Sequence, residues 1–304
     1  MSSPDEAELV RAAELIAGAD ALLFCAGAGI GVDSGLPDFR GAEGFWRAYP
    51  PYRRLGLAFE ELADPAHFAA DPDLAWGFYG HRMALYRATT PHAGFGVLRR
   101  WAASRPARVF TSNVDGQFQR AGFAEDTVLE CHGSIHHLQC LAGHGERIWP
   151  ADGVTVDIDE ASMRARPPLP GCPDCGALAR PNILMFGDLD WLPARTEEQA
   201  RRHTRWLRGL RADGARLVVL EIGAGTAVPT VRRHAELAAA SSGALIRINT
   251  REPAVRHGRG VALALPAAEA LRRLSELVEP AGVPAGRRTG HPTPPAGSAG
   301  GEVV

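Results

Sequence analysis

Short apolar runs recur along the chain and predict the strands of a sheet. The first, ADALLFCAGAG, begins at Ala19 and breaks into a glycine turn; similar runs lie at 107–112, 127–133, 215–223 and 244–249. Helix-like segments separate several of these runs, and an amphipathic segment at Glu6–Ala17 precedes the first. Strands that alternate with helices predict a parallel sheet covered on both faces. The pattern therefore predicts an α/β fold.

Two regions do not follow this alternation. Residues 41–95 are aromatic and helical in character, and residues 136–183 are rich in Gly, Pro, Cys and His. We interpret both as insertions that build a smaller second module within a domain spanning residues 1–279. Residues 280–304 are rich in Pro and Gly and lack apolar periodicity, which predicts a disordered tail.

Composition excludes several classes of partner. The 33 basic and 35 acidic residues give a net charge of -2, which does not favour nucleic acid or an anionic membrane surface. No apolar stretch approaches the roughly 18–20 residues of a membrane span. The start, MSSPDEAELVRAAEL, is acidic and therefore unlike a signal peptide. We therefore expect a protein of the cytoplasm that binds neither nucleic acid nor membranes.

Five cysteines are an odd number for a chain of 304 residues without a secretion signal. A disulfide framework is therefore not expected, and buried thiols or metal ligands suit a reducing compartment better. The chain also contains no Lys, so every one of its 33 basic residues is Arg. It follows that the chain has no lysine of its own to be acylated.

The glycine turn after the first strand is the first candidate site. It reads CAGAGIGVDSGLPDFRG and places Gly27 and Gly29 directly after the strand, where backbone N–H groups can approach a phosphate. Its spacing departs from the G-x-G-x-x-G fingerprint, and many such turns carry glycine for packing alone. The following PDFRG adds an acid, an aromatic ring and an arginine suited to a phosphate.

Polar residues also follow the later strands. TSNVDGQFQRAG places Asn113 and Asp115 just past one strand end, and CHGS places His132 past another. EIGAGTAVP and IRINTRE end two more strands in small or amide-bearing residues. Open parallel sheets bind ligands at the carboxyl ends of their strands. The sequence therefore predicts a nucleotide site at one edge of the sheet.

This ordered set of motifs resembles the sirtuin family of NAD-dependent protein-lysine deacylases, in its bacterial form, over residues 8–278. The resemblance implies a Rossmann-like, doubly wound parallel sheet with a smaller inserted zinc-ribbon and helical module. It also implies that NAD is bound by a set of residues from the strand ends and the glycine turn: Ala26, Gly27, Ala28, Gly29, Phe39, Arg40, Ser112, Asn113, Asp115, Gly223, Ala224, Gly225 and Asn249.

The sequence departs from the family pattern at three places. Gly31 stands where the family usually has Ser, and Ser112 stands where it has Gln. Gly223-Ala224-Gly225 stands where the family usually reads Gly-Thr-Ser. Each departure removes a polar side chain near the cofactor, so the affinity for NAD is expected to differ.

The resemblance implies that the acyl oxygen of an acylated lysine attacks the anomeric carbon of NAD and that nicotinamide leaves. His132 is then the general base for a ribose hydroxyl, and Asn113 orients the ribose and a water. Asp115 holds the nicotinamide carboxamide, Phe39 covers the reactive face and Arg40 steers the cofactor. A nucleophilic Cys131 is the alternative, but neighbours on an extended strand point to opposite faces, which favours a buried thiol.

Two further segments are implied to contact the substrate. MFGDLDW resembles the segment on which the family binds its peptide as an added strand, which assigns Phe186 and Gly187 to substrate binding. Tyr79 and Arg82 lie three residues apart on a predicted helix at Asp73–Arg87, so they share a face. This Y-x-x-R pair is similar to the one that recognises acidic acyl groups in one sirtuin class. The alternative is a solvated helix face.

A zinc site is the last implied feature. Cys172 and Cys175 form a C-x-x-C knuckle, and Cys140 supplies a third thiol. The family's second cysteine is missing, but His144 gives a C-x3-H spacing that would complete a Cys₃His tetrahedron. The alternative is a decayed site in which the knuckle survives without metal.

Three functions follow from these motifs. The first is a deacylase that acts on acylated protein lysines. The second is an NAD glycohydrolase or ADP-ribosyltransferase on the same fold. The third is a nucleotide-binding sensor without turnover, which the presence of Asn113, Asp115 and His132 argues against.

Overall fold

The parallel sheet is the centre of the computed structural model, which describes residues 4–38, 45, 49–54, 56–240, 243–256 and 258–279. With strands numbered along the chain, its six strands are β1 (Ala21–Ala26), β2 (Ala107–Thr111), β3 (Val128–Glu130), β9 (Leu217–Ile222), β10 (Ala244–Ile248) and β11 (Gly260–Leu263). They lie in the order β11-β10-β9-β1-β2-β3, and all neighbours are parallel.

Helices cover both faces of this sheet. In β1, Leu22 and Phe24 enter one core, whereas Leu23 and Cys25 enter the core on the opposite face. A strand buried on both faces reads as a continuous apolar run, which is why ALLFCA is apolar throughout. The longer helices around the sheet are Pro4–Ala17, Ala93–Ser104, Ala194–Ala212, Thr230–Ala240 and Ala267–Val278. The predicted doubly wound α/β fold is confirmed.

A second core lies beside the sheet and contains most of the buried aromatic rings. Its strands are β4 (Gly133–Cys140), β5 (Ile148–Pro150), β6 (Asp157–Asp159), β7 (Arg164–Arg166) and β8 (Ala179–Ile183). Three of them form an antiparallel sheet in the order β5-β4-β8, and β6 pairs with β7. Its helices are Pro50–Arg54, Phe59–Leu62, Ala66–Ala70 and Pro72–Ala88.

The helix Pro72–Ala88 crosses this second core. Asp71 caps its N-terminus by accepting a hydrogen bond from Leu74 N at 3.3 Å, and Pro72 occupies the first turn, where no N–H is needed. Gly77 allows β7 to approach, because a Cβ there would lie 2.9 Å from the Cα of Arg164. The helix thereby joins the two segments that the sequence marks as insertions.

The structure differs from the predicted strands at two places. The predicted strand 127–133 ends at Glu130, and Cys131 and His132 lie in a turn before β4. The physical cause is Gly133, whose φ of 77° breaks the extended backbone. The strand β11 was not predicted, because it is a short edge strand with alternate residues buried.

Three shorter helical turns connect the strands: the 3-10 helices Ala28–Ser34 and Glu125–Thr127, and the helix Gln117–Arg120. The predicted tail 280–304 lies outside the described residues. Among the residues that the structure describes, every helix is too short or too polar to cross a membrane.

Candidate active site and zinc module

The carboxyl ends of five parallel strands meet at one edge of the sheet. The register pairs Ala26 with Thr111 and with Ile222, and Ile222 pairs in turn with Ile248. Thr111 pairs with Glu130 on the other side. The residues that follow these strand ends therefore converge, and they carry the glycine turn, Asn113, His132, Gly223 and Asn249.

The glycine turn interlocks with the loop after β9. A Cβ at Gly27 would lie 2.8 Å from the Cα of Ala224, and one at Gly29 would lie 2.7 Å from the Cα of Gly223. Gly29 N donates to Gly223 O at 3.0 Å, and Gly223 itself has a φ of 65°. Glycine is needed at these positions because the two backbones are in contact.

The loop after β2 is fixed to the glycine turn by Asn113. Its Nδ2 donates to Gly27 O at 3.1 Å, and its backbone N donates to Thr111 Oγ1 at 3.0 Å. Ser112 N donates to Ala26 O at 3.3 Å, at the end of β1. Asn113 and the glycine turn are therefore brought together, as the sequence predicts.

Asp115 lies in the same loop and is 8% exposed. Burial raises the pKa of its carboxyl group to about 6, although Gln117 N donates to Oδ1 at 3.0 Å and favours the ionised form. The backbone oxygen of Asp115 accepts a hydrogen bond from His136 Nε2 at 3.0 Å. The loop is therefore held from both sides.

His132 lies in the turn between β3 and β4, at the same edge of the sheet. Burial lowers the pKa of its imidazole, because the charged form loses hydration. The ring is therefore neutral near pH 7 and can accept a proton. Its backbone oxygen accepts a hydrogen bond from Leu184 N at 3.0 Å, which connects the turn to the segment that contains Phe186.

A cleft lies between the glycine turn and the ends of β9 and β10. Gly29, Val32 and Asp33 line one side, and Asn249 and Thr250 line the other. Asn249 Nδ2 donates to Ala224 O at 2.7 Å, so its side chain holds the loop after β9, in which Gly225 is half-buried. Ala28 is half-buried in the glycine turn. The predicted contacts at Phe39 and Arg40 lie outside the described residues.

The segment 185–188 presents an exposed ring and a left-handed glycine. Phe186 is 44% exposed, and its backbone N donates to Ala63 O at 3.0 Å. Gly187 has a φ of 68°. The Phe186 ring lies 6.3 Å from that of Phe59, measured between centroids.

Tyr79 and Arg82 are buried, at 1% and 6% exposure. The alternative of a solvated helix face is therefore wrong. Arg82 donates from Nε and Nη2 to the Tyr86 hydroxyl at 3.1 and 2.8 Å. Its guanidinium carbon also lies 5.6 Å from the centroids of the Phe59 and Tyr79 rings. The charge is thus surrounded by aromatic faces, which attract it through their quadrupoles.

Three of the four predicted zinc ligands lie together. The thiols of Cys140, Cys172 and Cys175 lie within 4.8 Å of one another, and Cys140 Sγ is 3.7 Å from Cys175 Sγ. The backbone N–H of Asp174 is the main cause of a lowered pKa at Cys172. Backbone N–H groups directed at sulfur stabilise thiolates, so this donor set fits a structural zinc ion.

His144 is not part of this cluster in the described structure. Its side chain is exposed. Gly143 and Gly145 on either side have φ values of 67° and 69°, and these left-handed residues direct the loop toward solvent. The C-x3-H spacing alone could not show this loop geometry.

A model of the Sir2 family matches residues 27–206, which is more than half of the chain. The chain belongs to the Sir2 family.

Two relatives of this Sir2-family chain match it over most of their length. The NAD-dependent protein deacylase 1 of Pseudomonas aeruginosa is 32% identical over 266 residues, which are 86% of this chain and 95% of the relative. The NAD-dependent protein deacylase 1 of Archaeoglobus fulgidus is 31% identical over 76% of this chain and 82% of the relative.

Solved structures give the same family fold. A Sir2 homologue crystallised in complex with NAD has a TM-score of 0.66 and 27% sequence identity, covering 91% of this chain and 94% of that structure. A second solved structure, of a Sir2 homologue with ADP-ribose, has the same TM-score and covers 88% of this chain and 95% of that structure at 27% identity. Family and fold are therefore established together.

Sequence reasoning missed a buried ion pair that lies next to His132 in this Sir2-family chain. Glu130, at the end of β3, is 1% exposed and accepts from Arg195 Nη2 at 2.6 Å. The amide oxygen of Gln199 accepts from Glu130 N at 3.1 Å, so the helix Ala194–Ala212 fixes the strand end just before His132. A buried acid inside an apolar run is a signal in TVLECHG that could have marked this pair.

Proposed function

We propose that this chain removes acyl groups from protein lysine side chains and consumes NAD in doing so. The observation that carries the proposal is the convergence of the glycine turn, Asn113 and His132 at the carboxyl edge of one parallel sheet. Family membership supports the same activity. The products are nicotinamide, free lysine and O-acyl-ADP-ribose.

NAD, when bound, would supply the ADP-ribosyl group that is transferred to the acyl oxygen, with nicotinamide as the leaving group. The residues that would hold it are the predicted set at the strand ends, of which Gly29, Gly223 and Asn249 line the cleft. The N–H groups of Gly27, Gly29 and Gly223 already donate to backbone oxygens, so these glycines would serve the cofactor by letting it approach the backbone closely. Asp115 is proposed to hold the nicotinamide carboxamide.

His132 is proposed to act as the general base. A base must be neutral to accept a proton from a ribose hydroxyl, and burial favours the neutral imidazole here. Asn113 is fixed by its bond to Gly27 O and is proposed to orient the ribose. Because the pKa of His132 is lowered and that of Asp115 is about 6, activity should be lost as the pH falls below about 6.

Phe186 and Gly187 are proposed to bind the peptide as an added strand. Backbone hydrogen bonds would supply the affinity, with little demand on the peptide sequence. Leu184 N is bonded to His132 O, so the peptide segment and the proposed base are joined directly. This connection favours deacylation over the second function, an NAD glycohydrolase or ADP-ribosyltransferase.

We propose that Tyr79 and Arg82 select an acidic acyl group such as succinyl or malonyl. Phe59 contacts both the Arg82 guanidinium and the Phe186 ring. The Phe59 ring therefore lies between the guanidinium charge and the segment proposed to bind the peptide. A buried guanidinium suits a carboxylate, and a phenol adds a neutral donor.

The three clustered cysteines are proposed to hold one structural zinc ion through thiolates, with His144 as the predicted fourth ligand. Zinc would supply folding energy to the second module and no step of the reaction. Ligand thiols must stay reduced, which supports a cytoplasmic location.

Replacing His132 with Ala tests the proposal. Loss of a general base should reduce deacylation of an acyl-lysine peptide by at least about 100-fold, with the fold unchanged. Cys131→Ala is the matched control, because this neighbouring residue is half-buried and the pKa of its thiol is raised to about 12. Near-normal deacylation by His132→Ala, or a comparable loss in Cys131→Ala, would reject His132 as the base.

A further inference from the structure

His92 stands at the N-terminus of the helix Ala93–Ser104, behind the glycine turn. Its Nδ1 accepts a hydrogen bond from Gly94 N at 3.0 Å, which caps the helix. Its Nε2 lies 3.0 Å from Ile30 O. A carbonyl oxygen only accepts, so Nε2 carries the hydrogen and Nδ1 carries none. These two contacts therefore define a single neutral tautomer.

A second contact fixes the same pair of elements. His92 N donates to Ser34 Oγ at 2.9 Å, so the helix N-terminus holds the 3-10 helix Ala28–Ser34 at both Ile30 and Ser34. Ile30 is fully buried and its N donates to Gly27 O at 3.1 Å. The imidazole is thus bonded to the residue that closes the glycine turn.

The far side of this 3-10 helix is the wall of the cleft. Gly29, Val32 and Asp33 line the cleft, whereas Ile30 between them faces the protein interior. A shift of the Ile30 carbonyl would therefore move the cleft wall, although His92 itself is not among the lining residues.

We propose that His92 is a positioning residue for the dinucleotide site, and that it holds the glycine turn only as the neutral imidazole. The inference rests on the proposed assignment of this cleft to NAD. A proton on Nδ1 would face the Gly94 N–H and break the cap, so acidification should loosen the turn and weaken binding.

The surroundings of His92 agree with a neutral ring. Burial lowers the pKa of its imidazole, opposed by the bond to Ile30 O and by Asp33, the charged group that acts on it. The Asp33 carboxylate lies on the 3-10 helix and accepts from Ala268 N of the helix Ala267–Val278 at 2.7 Å. The Phe95 ring packs on the imidazole at 5.0 Å between centroids. A lowered pKa means that protonation, and with it the loss of binding, occurs on the acid side of about pH 6.5.

The variant His92→Asn should keep the contact with Gly94 N and lose the contact with Ile30 O. Asn is a good N-cap, so the bond to Gly94 N can be kept, but its amide is too short to reach Ile30 O. We expect affinity for ADP-ribose, measured by calorimetry at about pH 8, to fall by about 2- to 13-fold, the usual effect of one lost hydrogen bond. The lost bond should lower the melting temperature by only about 2–6 °C, so at 25 °C the variant stays folded and the fall in affinity reports the glycine turn.

The second part of the experiment compares the ADP-ribose affinity of the parent protein at two pH values. ADP-ribose affinity of the parent should weaken between about pH 8 and about pH 5.5, and His92→Asn should lack most of this change. His81→Gln should keep it, because the pKa of this histidine is also lowered but the residue lies on the helix Pro72–Ala88 and does not line the cleft. Equal affinity of parent and His92→Asn at both pH values would overturn the proposal, as would a pH change that His81→Gln abolishes. Because the probe is bound and not consumed, failure of the deacylase proposal would leave this result unaffected.

Discussion

Arg180 and Asp188 form a bidentate ion pair that is almost completely buried. Arg180 Nη1 and Nη2 donate to the two carboxylate oxygens at 2.7 and 2.8 Å, and the side chains are 1% and 0% exposed. Asp188 Oδ2 also accepts from Met185 N at 3.3 Å. The pair therefore fixes the segment that contains Phe186 and Gly187 to β8.

Asp188→Asn should destabilise the protein strongly. It leaves the buried charge of Arg180 without its partner, and such a loss lowers the free energy of unfolding by about 3–5 kcal/mol. Denaturant unfolding measures this. Glu198→Gln is the control, because it breaks only exposed bonds to Arg201 and Arg202 and should change little. Similar unfolding curves for the two variants would contradict the role assigned to the pair.

The short apolar runs in the sequence predicted much of the sheet, because a strand that is buried on both faces is apolar at every position. ALLFCA and LVVLEI are such runs. The turn at Cys131 and His132 was not predicted, since apolar periodicity cannot show where a left-handed glycine, here Gly133, ends a strand.

Only part of the candidate site could be predicted from the sequence. Residues at the ends of parallel strands could be grouped because the register brings those ends together, as it does for Asn113 and His132. The burial of Arg82 could not be predicted, because four aromatic rings from two separate segments enclose it. His92 was missed because its role depends on a contact with Ile30, 62 residues away.

A pair of histidines should make stability depend on pH. His203 Nε2 lies 3.0 Å from His234 Nε2, and burial lowers the pKa of these imidazoles to about 3 and about 4. A folded-state pKa below the unfolded value favours folding above about pH 6.5, and this contribution is lost as the pH falls toward 4. Over about 2.5 pH units, we expect each histidine to lower the free energy of unfolding by up to about 3 kcal/mol.

Unfolding curves at several pH values test the histidine pair. His203→Gln should be less sensitive to acid than the parent, whereas His67→Gln, away from the pair, should follow the parent. Parallel loss of stability in parent and His203→Gln across this range would contradict the assignment.

Zinc should be bound in a ratio of about one per chain and should stabilise the second module. Elemental analysis of purified protein measures the metal, and chelation should lower the melting temperature. Cys172→Ser should lose the zinc and Cys131→Ser, outside the cluster, should keep it. Absence of metal from the parent would favour a decayed site; zinc retained unchanged in His144→Ala would reject His144 as the fourth ligand.

Arg82→Met should reverse the preference among acyl groups. With Arg82 present, succinyl- or malonyl-lysine peptides should react faster than acetyl-lysine, because the guanidinium pairs with the acyl carboxylate. Rates for the three peptides in parallel measure this, and Arg120→Met, at an exposed hydrogen bond to Thr89 O, is the control. An acetyl preference that Arg82→Met leaves unchanged would assign Arg82 to structure alone.

The peptide dependence of nicotinamide release tests the central proposal most directly. The chain contains no Lys, so it offers no acylated lysine of its own, and release without peptide can only report hydrolysis or transfer to another group. We predict that nicotinamide appears only when an acyl-lysine peptide is added, in a one-to-one ratio with O-acyl-ADP-ribose. Nicotinamide released at the same rate with and without the peptide would contradict the deacylase and favour the glycohydrolase.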